Sequence, residues 1–267
     1  MSSIDRMFQQ LRSEGRKAFM PFVTAGDPSV AFTGRVLQVL ADAGVSMCEV
    51  GIPYSDPIAD GPVIQASYTR ALARRTKLAD ILQMLGQLAP QVSTPLVTMV
   101  SYAIVYRHGL EKYLEDAQAA GIAGAIIPDL PVEESSHLAD LCRPRDFSLI
   151  QLVTPTTPRD RALRIAETST GFLYYVSVTG ITGERTQLPP ELLENVAWLR
   201  SQTDLPVCIG FGISQPEHVR LLAPVADGLI VGSALVRRIE NCADRGEAAV
   251  LDDIRTYVTS MITALKP

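Results

Sequence analysis

Short runs of apolar, β-branched residues alternate with amphipathic stretches about eight times along this 267-residue chain, and that alternation restricts the fold more than any other feature. The runs fall at 18–23, 46–50, 95–101, 122–127, 148–153, 172–178, 206–210 and 228–231. Segments such as Ala125-Ile126-Ile127 and Leu229-Ile230-Val231 are apolar on consecutive residues, as strands are when a parallel sheet is covered on both faces. Helical periodicity lies between them. Phe32, Val36, Val39, Leu40 and Ala43 recur at spacings of three and four before Gly44. Leu110, Tyr113, Leu114 and Ala117 share one face of a helix expected over 109–120 and closed by Gly121. Asp27-Pro28 is a candidate helix start, Thr157-Pro158 opens another helix, and Ser214-Gln-Pro-Glu217 has the spacing of a capping box.

Roughly eight β/α units in about 250 residues match, in count and size, an α/β fold of the (β/α)8 TIM barrel type, with extra N-terminal and loop helices. Periodicity alone would also allow an open doubly wound sheet. No Pro-rich or Ser/Gly-rich linker interrupts the pattern, so residues 1–267 read as a single barrel domain.

Composition removes whole classes of function. With 24 Lys+Arg against 29 Asp+Glu and a net charge of -5, the chain offers no basic field for nucleic acid or an anionic membrane. The cysteines Cys48, Cys142, Cys208 and Cys242 form no Cys-x-x-Cys pair, which suits free thiols in a reducing compartment. No apolar run approaches the ~18 residues of a membrane span, and Met-Ser-Ser-Ile-Asp-Arg does not lead into an apolar signal segment. The expectation is a soluble, cytoplasmic protein.

In a β/α barrel the working residues gather at the C-terminal ends of strands and in the loops that follow. Run 2 leads into a stretch carrying Glu49, Asp56 and Asp60, run 3 into Tyr102, and run 4 into Asp129-Leu-Pro131. Runs 7 and 8 lead into Gly210-Phe-Gly-Ile-Ser214 and Gly232-Ser233. Glycine turns at those two places suit a phosphate held on backbone N–H groups, although glycine also ends strands for conformational reasons alone. Glu49 follows Cys48 at the end of an apolar strand, where burial would raise its pKa and fit it for acid/base work. A structural carboxylate satisfied by backbone donors is the competing reading. Asp60 is a possible partner, while Asp27 and Asp56, each before proline, read as turn or cap residues.

None of the four lysines, Lys17, Lys77, Lys112 and Lys266, sits at a strand's C-terminal end, which leaves Schiff-base aldol chemistry without a nucleophile. His108, His137 and His218 are scattered over helical stretches and read as surface residues, so no metal site is expected. Carboxylate acid/base catalysis on a phosphorylated substrate remains.

The segments Pro21-Phe-Val-Thr-Ala-Gly-Asp-Pro28, Glu49-Val-Gly-Ile-Pro-Tyr-Ser-Asp-Pro-Ile-Ala-Asp-Gly-Pro-Val-Ile-Gln65, Pro128-Asp-Leu-Pro-Val-Glu-Glu134, Val178-Thr-Gly-Ile-Thr-Gly183, Gly210-Phe-Gly-Ile-Ser214 and Gly232-Ser-Ala234 together resemble the tryptophan synthase alpha chain family. The resemblance runs in order over nearly the whole chain; the block 49–65 is specific to the family, whereas the glycine turns are shared with many phosphate-binding barrels. It implies retro-aldol cleavage of indole-3-glycerol phosphate to indole and glyceraldehyde 3-phosphate. It gives Glu49 the role of proton shuttle and Asp60 that of stabilising charge on the indole nitrogen. Phe22, Ile64, Tyr102 and Tyr174 match positions that line the indole pocket or orient substrate. Gly183, Phe211, Gly212, Gly232 and Ser233 match the phosphate site, and Thr182 lies in a loop after strand 6 that, by resemblance, closes over substrate and helps hold Glu49. The resemblance further implies no cofactor in this chain, with pyridoxal phosphate in a β partner chain of an α2β2 heterotetramer. One segment departs: Ser101-Tyr-Ala-Ile-Val-Tyr-Arg-His-Gly109 lacks the Asn usual after strand 3, where the family meets the β chain. A stand-alone lyase releasing indole and a silent scaffold that activates a β chain are the alternatives, the second opposed by the presence of both Glu49 and Asp60.

Overall fold

The computed structural model describes residues 1–57, 60–176, 189–210 and 212–266. Its eight strands are β1 (Ala18–Thr24), β2 (Cys48–Gly51), β3 (Leu96–Met99), β4 (Ile122–Ile126), β5 (Ser148–Val153), β6 (Leu173–Val176), β7 (Val207–Gly210) and β8 (Gly228–Val231). Each pairs in parallel with its sequence neighbours, and β8 pairs with β1, so the sheet closes as a barrel in the order of the chain. Closure is the step that periodicity left open, and it excludes the doubly wound alternative.

Alternation along each strand sorts side chains between two cores. Phe19, Val50, Leu149, Tyr175, Ile209 and Leu229 face the surrounding helices. Met20, Val97, Ile126, Ile150, Tyr174 and Ile230 fill the barrel interior. The N-terminal helix Ser3–Ser13 closes the barrel at the strand starts: Ile4, Phe8 and Leu11 join that interior core, and the Phe8 and Phe172 rings sit 5.7 Å apart. Ser2 caps this helix, its Oγ accepting from the Asp5 N–H while the Asp5 carboxylate accepts from the Ser2 N–H.

Local punctuation differs from the sequence expectation in three places. The helix Val30–Asp42 begins two residues later than Asp27-Pro28 suggests, because Ser29 Oγ accepts the Phe32 N–H and is the cap. Asp27 is instead buried, 3% exposed, with its carboxylate held by Arg70 at 2.7 Å. The helix expected over 109–120 is preceded by another, and Gly109, at φ +91°, breaks Tyr102–His108 from Leu110–Ala119. The capping box at Ser214 does not form: Gln215 is the cap position of Pro216–Leu222 and makes no side-chain capping bond.

All four cysteines are free and buried. Among the described residues no helix is long and apolar enough to cross a membrane.

Candidate active site

Glu49 lies in register with Phe22 on β1 and Val97 on β3, so its side chain takes the inward parity of two apolar neighbours. It is fully buried, and neither carboxylate oxygen has a hydrogen-bond partner among the described residues. Burial penalises the charged form and pushes its pKa well above the ordinary carboxylate value. A structural carboxylate would be satisfied by donors, and among the described residues Glu49 has none. Its carboxyl group faces a cavity of about 700 Å³ at the C-terminal mouth of the barrel.

Asp60 faces the same cavity from the loop after β2. Its backbone is fixed locally: the Asp60 N–H donates to the Pro57 carbonyl at 3.2 Å, and Gln65 Nε2 donates to the Asp60 carbonyl at 2.8 Å. Burial, and then the charge of Asp129, raise its carboxyl pKa to about 6. Asp129, after β4, accepts from Ser101 Oγ at 2.6 Å and from the Tyr102 N–H at 2.7 Å. Burial, and then the charges of Asp60, Asp129 and Asp56, push the Tyr54 phenol up to about 12. This end of the cavity therefore favours a group that becomes positive.

The wall beside the carboxylates is apolar. Phe22, Ile64 and Tyr174 line it, joined by Met99, Leu152 and Val176. Ile64 is set by the helix Pro62–Ala73, whose Ser67 Oγ donates to the Ile64 carbonyl at 2.7 Å and meets Thr24 Oγ1 at 2.6 Å across the buried contact with β1. Two strand-end glycines make room for the rings: a methyl group at Gly51 would overlap Phe22, and one at Gly210 would overlap Tyr174.

The far end of the cavity has opposite character. Gly212 and Ser214 line it after β7, and Gly232, Ser233 and Ala234 after β8, with Arg237 beside them. The helix Ser233–Glu240 starts at Gly232, and its first-turn N–H groups have no intrahelical acceptor, which makes its N-terminus suited to an anion.

Of the residues singled out in the sequence, Phe22, Glu49, Asp60, Ile64, Tyr174, Gly212, Gly232 and Ser233 converge on this one cavity. Tyr102 does not line it; it opens the helix Tyr102–His108, and its ring stands 6.0 Å from that of Tyr106. Thr182, Gly183 and Phe211 lie outside the described residues. His218, expected at the surface, is 7% exposed and lines the anion end, its Nδ1 accepting the Ser214 N–H at 3.3 Å. Helical periodicity could have put it on the inner face of Pro216–Leu222 with Val219 and Leu222, but histidine itself gave no such signal. Among the described residues no group of three or more His, Cys, Asp or Glu converges to hold a metal ion.

A family model described as tryptophan synthase alpha chain matches residues 8–266. The tryptophan synthase alpha chain of Rhodopirellula baltica is 56% identical over 259 residues, covering 96% of this chain and 93% of its own. That of Caldanaerobacter subterraneus is 43% identical over 261 residues, covering 98% of each. The crystal structure of tryptophan synthase subunit alpha from Legionella pneumophila shares the fold at a TM-score of 0.90 and 34% identity, with 99% of this chain and 98% of that one covered. The corresponding subunit of Pyrococcus furiosus gives 0.84 and 34%, covering 93% and 99%. In sequence over nearly its whole length, and in the closed barrel that carries the cavity, this chain belongs to the tryptophan synthase alpha chain family.

Proposed function

We propose that Glu49 and Asp60 divide between them the proton chemistry of the family's reaction, the cleavage of indole-3-glycerol phosphate to indole and glyceraldehyde 3-phosphate. The observation that carries this reading is the Glu49 carboxyl group, buried, without a hydrogen-bond partner among the described residues and facing the cavity. With its pKa raised by burial, which favours the acid form, Glu49 gives its proton to indole C3, which creates a cation spread over C2 and N1. Asp60, ionised above about pH 6, accepts the N1–H and stabilises that cation. The Glu49 carboxylate then takes the proton of the adjoining glycerol hydroxyl. The C3–C bond breaks, its electron pair restores the indole ring, and the hydroxyl carbon becomes the aldehyde. Protons balance, since Glu49 ends as it began. Each role ordinarily contributes about 10²- to 10⁴-fold.

The indole ring lies against Phe22, Ile64 and Tyr174, and the phosphate between the β7 turn and the N-terminus of Ser233–Glu240, where backbone N–H groups meet it. Thr182, Gly183 and Phe211 complete that end by resemblance. This chain acts as the alpha subunit of tryptophan biosynthesis, a carbon–carbon lyase working with a β chain that holds the pyridoxal phosphate. Four free thiols support a cytoplasmic location.

Glu49→Gln tests the assignment. The variant keeps shape but neither gives nor takes the proton, so cleavage falls at least about 10²-fold while glycerol 3-phosphate binding stays near normal. Normal turnover in that variant would remove Glu49 from the reaction. Indole formation measured with and without a β chain separates a subunit that answers to its partner from a stand-alone lyase.

A further inference from the structure

We propose that His218 and Tyr257 are positioning residues for the phosphate end of the cavity: they grip Ser214 by its N–H and its carbonyl, and through Arg238 fix the β7 turn against the helix Ser233–Glu240. The proposal rests on the reading that the substrate phosphate binds between those two elements.

The turn after β7 needs an external hold. Gly212 sits at φ +75°, and Pro216 and Gln215 contribute no side-chain cap to the short helix that follows. Ser214 therefore carries an N–H and a carbonyl that the helix does not satisfy, and both find partners elsewhere. The N–H goes to His218 Nδ1 at 3.3 Å. Nδ1 is thus the acceptor of this contact, which the tautomer bearing hydrogen on Nε2 provides. The carbonyl accepts from Tyr257 Oη at 3.2 Å, reached from the C-terminal helix Glu247–Ala264, 43 residues along the chain. Burial pushes the Tyr257 phenol up to about 12, so it remains a donor at any working pH.

The second half of the tie runs to the other side of the anion end. The Arg238 guanidinium covers the Tyr257 ring, 3.7 Å from its centroid. Arg238 Nη1 donates to the Ala234 carbonyl at 2.9 Å. Ala234 is in the first turn of Ser233–Glu240 and lines the cavity. A continuous path thus joins Ser214, Tyr257, Arg238 and Ala234, with its two ends on opposite sides of the proposed phosphate position. Backbone donors bind an anion well only where their N–H vectors converge, and small misplacements are costly. Neither His218 nor Tyr257 has to touch substrate to matter.

Tyr257→Phe removes the hydroxyl and keeps the ring beneath Arg238. It should raise the KM for indole-3-glycerol phosphate and the Ki for glycerol 3-phosphate together, by about three- to ten-fold, with kcat changed less than about two-fold. His218→Leu should do the same. His218→Asn places an amide oxygen where Nδ1 stands and should recover most of the loss. Ser233→Asp, which sets a carboxylate against the phosphate itself, separates the two levels of inference. If Ser233→Asp leaves KM and Ki unchanged, the phosphate lies elsewhere and the proposal falls with that reading. If Ser233→Asp weakens both, but Tyr257→Phe and His218→Leu lower only the melting temperature, then the pair is purely structural and the positioning role is overturned.

Discussion

Gly210 and Tyr174 compete for one volume at the barrel mouth, because any side-chain atom on Gly210 would overlap the Tyr174 phenol. The two stand on adjacent strands, Tyr174 opposite Cys208 and Gly210 opposite Val176. The strand-end glycine is thus a packing requirement of the cavity wall, apart from any part its neighbours play in the phosphate turn. Gly210→Ala should displace the Tyr174 ring and raise KM for substrate, and it should also destabilise the fold by about 1–3 kcal/mol, the usual cost of overpacking. A double-mutant cycle checks the cause. In a Tyr174→Ala background the same Gly210→Ala change should cost much less, and strict additivity of the two changes would refute the clash.

Asp60 links stability to pH with a definite sign. Its folded-state pKa is raised from 3.8 to about 6, so between those values the folded chain holds more protons at this site than the unfolded chain. Its contribution to stability therefore falls as pH rises through that window and levels off above about 6. Asp60→Asn carries no such penalty. Relative to the native chain the variant should gain stability from about pH 4 to about pH 6, by up to about 3 kcal/mol, while cleavage falls by roughly 10²-fold or more. Urea unfolding of both proteins at several pH values, without phosphate, measures the difference. A gap that does not vary with pH would show that Asp60 is not held with a raised pKa.

Phe8 offers the opposite combination, large for stability and silent for chemistry. It is 6% exposed against Phe172 at the strand-start end of the barrel, the end remote from the cavity. Phe8→Ala leaves a hole in that plug and should cost about 3 kcal/mol. The kcat and KM at a temperature where the variant is fully folded should be unchanged. A parallel loss of kcat would mean that the plug is coupled to the mouth through the interior side chains.

Much of this was legible along the chain, for a physical reason. Strands buried on both faces write themselves as apolar runs, and the runs at 148–153 and 228–231 coincide with β5 and β8. Glu49 stood out because a carboxylate inside such a run has to be explained by function or by donors, and among the described residues its oxygens have no hydrogen-bond partner. What local spacing could not carry were contacts made across the fold. Ser214-Gln-Pro-Glu217 looks like a capping box, yet the Ser214 N–H goes to His218 and its carbonyl to Tyr257. Asp129 acts on Asp60 from a different strand end, and no pattern in the segment 49–65 announces it. Barrel closure is the same kind of fact, since it depends on β8 meeting β1.

Asp27 is the clearest of these long-range cases, since its partner Arg70 lies 43 residues along the chain. Arg70 reaches it from Pro62–Ala73, its Nε and Nη2 donating to the two carboxylate oxygens, and its Nη1 donates to Glu240 at the end of Ser233–Glu240. One guanidinium thus ties the loop after β1 to the helix that carries Ile64 and to the helix whose start faces the anion end of the cavity. The two partners are unequal. Asp27 is 3% exposed, whereas the Glu240 side chain is 51% exposed and screened by water. Removing Arg70 strands a buried carboxylate, so Arg70→Ala should destabilise by about 2–4 kcal/mol, and Glu240→Ala by less than about 1 kcal/mol. Arg70→Lys should recover little, because an ammonium lacks the planar fork that meets both Asp27 oxygens while a third N–H reaches Glu240. Denaturant unfolding of the three variants gives the ranking, and a Glu240→Ala cost equal to that of Arg70→Ala would place the weight of the contact on the exposed pair instead.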